Sequence, residues 1–128
     1  MKNNFDYFIG IDWSGAKGSS HKGIAVAISS DKNNLIDIVN PKNKYWSRIE
    51  IFEYLVKMSS SSRILVGIDF AFSYPFIDLK SYFPDCKTIN PNTVFQLWEC
   101  IEKQNQGQED FYGGGIWDNE ILGEYYNS

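Results

Sequence analysis

The chain has one histidine and two cysteines in 128 residues, and Cys86 and Cys100 do not form a C-x-x-C pair. That scarcity excludes a zinc site of the usual kind and leaves the cysteines as two reduced thiols. Basic charge is short as well. The formal net charge is −4, and no basic face of the sort that follows a nucleic-acid backbone stands out. Lys17, His21 and Lys22 form one small basic cluster and Lys42 with Lys44 another, both read as solvated turns, with His21 expected at the surface. No apolar run approaches the ~18 residues that a membrane span requires. Met1-Lys2-Asn3-Asn4 leads into a strand-like segment, not a leader peptide, so the expected location is the cytoplasm, without a membrane partner.

What is present is apolar and aromatic. A hydrophobic fraction of 43% and an aromatic fraction of 16% argue for a packed chain and against disorder. The length fits one domain over residues 1–128. Phe5 to Trp13 reads as a strand, Ser14 to Lys22 as a Gly/Ser loop, Gly23 to Ser29 as a second strand and Leu35 to Val39 as a third. Short connections make these three an antiparallel meander. Ser47 and Glu50 have the spacing of a capping box, and Ile49, Phe52, Leu55 and Val56 follow at helical spacing, which predicts a helix over Ser47–Met58. Ser59 to Ser62 end it. Arg63 to Asp69 is a continuous apolar run, as in a strand covered on both faces. A helix is predicted over Asn92–Gln104, with Val94, Phe95, Leu97, Trp98 and Ile101 on one side. A loop holding Gly113-Gly114-Gly115 follows, and Asn119 to Tyr126 reads as a last helical turn or two.

The most informative feature is a near-repetition. Gly10-Ile11-Asp12-Trp13-Ser14 and Gly67-Ile68-Asp69-Phe70-Ala71 each end a strand with glycine, isoleucine, aspartate, an aromatic and a small residue. The shared pattern asks for a backbone open to close approach at glycine, then an acid where the strand runs out. A right-handed helical crossover returns the fourth strand parallel to the first. The predicted sheet order is then 3-2-1-4, with connections diverging at the first strand, where open α/β sheets bind ligands. Registering the two pentapeptides puts Asp12 beside Asp69 on strands about 4.8 Å apart. Carboxylates that close repel, and a proton on one or a divalent cation held by both relieves the repulsion. Oxygen-only ligands suit Mg²⁺ or Mn²⁺. Each acid taken alone reads equally well as a turn residue that hydrogen-bonds the backbone beyond it.

I-G-I-D-W-S-G-A-K-G, then G-I-A-V-A-I, then L-V-G-I-D-F-A-F-S-Y-P-F resembles a family of predicted RNase H-fold nucleases whose function is undefined, over the chain as far as Phe76. The resemblance implies an RNase H-like α/β mixed sheet of order 3-2-1-4 with flanking helices, and a metal-dependent phosphodiesterase acting on RNA or DNA. It maps the strand-end acids onto Asp12 and Asp69, as catalytic residues and as ligands of Mg²⁺ or Mn²⁺. Nucleic acid is then a substrate held through metal. Trp13, Ser14, Phe70 and Phe72 are the candidate substrate contacts. Phe70, Phe72, Tyr74 and Phe76 read either as rings on which a base stacks or as core. Such enzymes need more than two acids, usually from a fifth strand and a closing helix. No fifth strand is legible here, which makes the chain a shortened member or the amino-terminal part of a longer one. Candidates for further ligands are Glu99, Glu102, Asp110 and Asp118, with Glu50 or Glu53 on the first helix; each also reads as a surface acid.

Two other functions compete. Asp12, Ser14 and Gly15 are faintly similar to the phosphate hairpin of actin- and sugar-kinase-like ATPases, which require a second lobe that this chain has no room for. The other is a non-catalytic binding or assembly module, in which an open edge at the fourth strand takes a partner chain or a second copy as a homodimer.

Overall fold

Isoleucines at alternate positions set the first strand. In the computed structural model, which describes residues 4–32, 35–70, 80–83 and 86–123, β1 runs Tyr7–Asp12, β2 Ala25–Ser30, β3 Ile36–Val39 and β4 Ile64–Asp69. Helix α1 spans Arg48–Ser59 and joins β3 to β4; α2 spans Val94–Gln104, and a short 3₁₀ turn covers Gly114–Ile116. The chain divides into two compact units, Met1–Phe70 and Ala71–Ser128.

The first unit is a four-stranded mixed α/β sheet of order β3-β2-β1-β4, antiparallel from β3 to β1 and parallel between β1 and β4. Order and direction match the expectation from the meander and crossover, and no fifth strand occurs among the described residues. Strand alternation sends Ile9 and Ile11 to one face, where they pack with Val26, Ile24, Trp46 and Ile51. Ile28, Val66 and Ile68 border this cluster from neighbouring strands, and Tyr54 and Leu55 from α1. Helix α1 therefore covers that face. The opposite face carries Phe8, Gly10, Asp12, Leu65, Gly67 and Asp69. There the expectation of a β4 buried on both faces is corrected: its burial alternates strictly and Leu65 is 48% exposed. Among the described residues α1 covers only one face of the sheet, so the apolar run of β4 serves one buried face and one open one.

Helix α1 starts as its cap predicts and then departs from the pattern. Ser47 Oγ accepts a hydrogen bond from the Glu50 N–H at 3.0 Å. The second half of the capping box is not made, because Glu50 Oε1 accepts from the Lys42 N–H at 2.6 Å instead. Ile51 is the buried apolar residue of the helix, whereas Ile49, Phe52 and Val56 are exposed. The serines end the helix chemically: the Ser59 and Ser60 hydroxyls donate to the carbonyls of Val56 and Lys57 at 3.0 and 2.7 Å. Those carbonyls lie in the last turn, where main-chain donors run out; Val56 also accepts from the Ser60 N–H at 3.2 Å.

In the second unit Tyr82, Phe83, Cys86, Leu97, Ile116 and Leu122 form the core, and both cysteines are free thiols. Thr93 caps α2 by accepting from the Gln96 N–H at 3.2 Å. The predicted apolar side of α2 is only partly inward. Leu97 is buried, but Phe95 and Trp98 are exposed and pair edge-on with ring centres 5.4 Å apart. Gly113–Gly115 is not the loose loop expected. Gly114 and Gly115 are buried in the 3₁₀ turn, and the Gly115 N–H donates to Asn105 Oδ1 at 2.7 Å.

Candidate active site at the ends of β1 and β4

The parallel register pairs Gly10 with Gly67, Ile11 with Ile68 and Asp12 with Asp69. Both acids are the last residues of their strands and lie on the open face, the side away from α1. Both are exposed. The glycines behind them leave clear space: a Cβ at either would meet nothing within 4 Å. No described part of the chain makes the close approach that the glycine pattern suggested.

The segments leaving the two strands meet through their aromatics. Trp13, directly after Asp12, and Phe70, directly after Asp69, have ring centres 6.1 Å apart. Ser14 Oγ accepts from the Ala16 N–H at 3.3 Å, a local bond that shapes the loop. Phe72, Tyr74 and Phe76 lie outside the described residues.

Of the further acids considered, Glu50 and Glu53 are on α1, which covers the opposite face. Both engage Lys42, Glu50 through the main-chain N–H and Glu53 through an ion pair at 3.7 Å. Glu99, Glu102, Asp110 and Asp118 belong to the second unit. Among the described residues no group of three or more histidine, cysteine, aspartate or glutamate residues could hold a metal ion. Among the described residues the donor set at the strand ends is thus two exposed carboxylates. That set fits Mg²⁺ and its analogue Mn²⁺, because such ions keep several waters and commonly take only one or two protein carboxylates besides substrate phosphate. A cavity of about 560 Å³ lies at the other end of the sheet, bordered by Asp6, Tyr7, Asp31 and Ser61, and does not include the acids.

Two residues in this region escape sequence reasoning. Arg48, the first residue of α1, is 3% exposed and donates to main-chain carbonyls in the loop after Asp12. Its signal was its place: directly after a serine cap, where a cation is electrostatically disfavoured. His21, expected at the surface, is buried instead. Its main-chain N–H donates to the Trp46 carbonyl at 2.9 Å, in a short bridge that ties the loop to the residue before the α1 cap. Its Nε2 is buried with no hydrogen-bond partner among the described residues. An unmet polar atom of this kind costs about 1–3 kcal/mol. His21→Phe, which keeps a planar ring and removes that atom, is therefore expected to raise stability by about 1 kcal/mol in urea unfolding. A loss of comparable size would mean that the nitrogen has a partner after all. Nothing in a polar stretch such as Ser19-Ser20-His21-Lys22 announces a buried imidazole.

No family model matches the chain, and no curated protein or solved structure matches it either.

Proposed function

We propose that this chain is a metal-dependent phosphodiesterase of RNase H-like type, with Asp12 and Asp69 as the ligands of Mg²⁺ or Mn²⁺ and RNA or DNA as substrate. One observation carries the reading: two aspartates end adjacent parallel strands in register, on the same open face, at the strand where connections diverge. A structural role gives no reason for it, since like charges side by side on neighbouring strands are unfavourable. A cation bound there would polarise a phosphate oxygen and lower the pKa of a bound water. The chain's own residues have simpler parts. Asp12 and Asp69 hold and orient the ion, while Trp13 and Phe70 present rings beside it on which a base can stack. Ser14 offers a hydroxyl at the start of the loop, and Phe72 is a further candidate contact on the segment after Phe70. With a net charge of −4, phosphate is drawn to the site through the metal rather than through a basic surface.

The test is a calorimetric titration of Mn²⁺ into the wild-type protein, Asp12→Asn and Asp69→Asn. Saturable binding that falls at least tenfold in each variant supports a shared site, and cleavage of RNA and single-stranded DNA is then screened with the same proteins. Wild-type protein that takes up no Mn²⁺ overturns the reading.

A second reading has its own observation. Among the described residues β4 is an edge strand of the sheet, and its Leu65 is 48% exposed. Such an edge favours a non-catalytic module that adds a partner chain or a second copy at β4. A concentration-dependent dimer in size-exclusion chromatography, together with absent Mn²⁺ binding, would bring it forward.

A further inference from the structure

Arg48 stands where a helix least favours a cation. It is the first residue of α1, at the end where unpaired N–H groups leave partial positive charge. It is also 3% exposed, and a buried guanidinium is unfavourable unless its N–H groups find acceptors. Nη2 donates to the Ser14 carbonyl at 2.8 Å and to the Ala16 carbonyl at 2.6 Å. The guanidinium carbon lies 5.9 Å from the centre of the Trp13 ring. Trp13, Ser14 and Ala16 all belong to the segment that leaves β1 after Asp12. Trp13 in turn meets Phe70, the residue that follows Asp69. One side chain from the first turn of α1 thus reaches the segments leaving both acids, one directly and one through a ring. A merely solvated Gly/Ser loop requires no such anchor.

We propose that Arg48 is the positioning residue of the Asp12–Asp69 pair. It holds the Trp13–Ala16 segment, and through Trp13 the start of the segment after Asp69, in the arrangement in which both carboxylates face one cation. The inference rests on the metal-site reading above. Arginine suits the task because a planar guanidinium hydrogen-bonds and lies against an aromatic ring at once, whereas a lysine ammonium is a compact, strongly hydrated point charge.

The experiment compares the full chain with Arg48→Lys and Arg48→Met by Mn²⁺ calorimetry and by amide hydrogen exchange in the metal-free state. Arg48→Met is expected to weaken Mn²⁺ binding about tenfold, the low end of what loss of a supporting residue behind a ligand does. In the same variant the hydrogen-bonded amides of the loop, Ala16, His21 and Ile24, exchange faster, while those of β1 and α1 keep their protection. Arg48→Lys recovers part of the affinity. Unchanged affinity in Arg48→Met, with wild-type binding intact, overturns this inference and leaves the metal site standing. Protection lost throughout the first unit makes Arg48 a general stabiliser and also overturns it. Wild-type protein that binds no Mn²⁺ ends both readings together.

Discussion

Ile51→Ala is expected to lower the stability of the first unit by about 3 kcal/mol, within the usual range for truncating a buried isoleucine. Ile51 is 2% exposed and belongs to the cluster formed by Ile9, Ile11, Ile24, Val26 and Trp46. Removing its outer carbons leaves a void between α1 and the sheet that the strands, fixed by their pairing, cannot close. Val56→Ala supplies the contrast. Val56 is on the same helix but exposed, and alanine is the better helix former, so stability should stay within about 0.5 kcal/mol. Urea unfolding followed by tryptophan fluorescence measures both, because Trp46 lies in the cluster and its ring is 6.0 Å from that of Tyr54 on α1. Amide exchange in β1 and α1 assigns the change to the first unit. A cost below 1 kcal/mol for Ile51→Ala would mean that α1 does not pack on the sheet as described.

Gly115→Ala should cost the second unit about 3 kcal/mol, the upper end of ordinary overpacking. A Cβ there would run into the main-chain carbonyl oxygen of Gln104 and lie 2.7 Å from Asn105 Oδ1. That oxygen already accepts from the Gly115 N–H, and the Asn105 Nδ2 donates to the Ile101 carbonyl at 2.7 Å, so the clash would disturb the end of α2 as well. Gly113→Ala is the control, since nothing lies within 4 Å of its Cβ position. Gly114→Ala falls between the two, because its Cβ meets the Tyr112 ring, a side chain that can shift, whereas the carbonyl is fixed in the main chain. Equal stabilities for the three variants, measured by urea unfolding with exchange at the last turn of α2, would remove the contact between Gly115 and the helix end.

What the sequence discloses follows from how local the cause is. The Asp12–Asp69 pairing was legible because each acid ends its own apolar run, and the register needs only two five-residue patterns laid side by side. The order 3-2-1-4 followed from short connections and the hand of the crossover. The inward side of α1 was not legible. Ile49, Phe52 and Val56 form an apolar stripe as regular as the one made by Ile51, Tyr54 and Leu55, and only the sheet decides between them. The fate of the glycine triplet was hidden for a similar reason, since it depends on Asn105, ten residues earlier. β4 misled by composition: a continuous apolar run suits a strand buried on both faces, yet this one lies at the margin of the sheet with Leu65 turned outward. Arg48 and His21 were hidden because their surroundings come from residues distant in the chain.

Across the open face, the paired positions Ile38, Ala27, Gly10 and Gly67 form a single row, one residue from each strand. Their side chains shrink from four carbons to one to none, so the surface slopes down from β3 and ends as bare main chain just behind the two aspartates. Such a ramp has relief but almost no chemistry. The row carries no charge and no hydrogen-bonding side chain. Any ligand bound at the acids would therefore meet only shape along this row, and would have to find its polar contacts at the strand ends and in the segments beyond them.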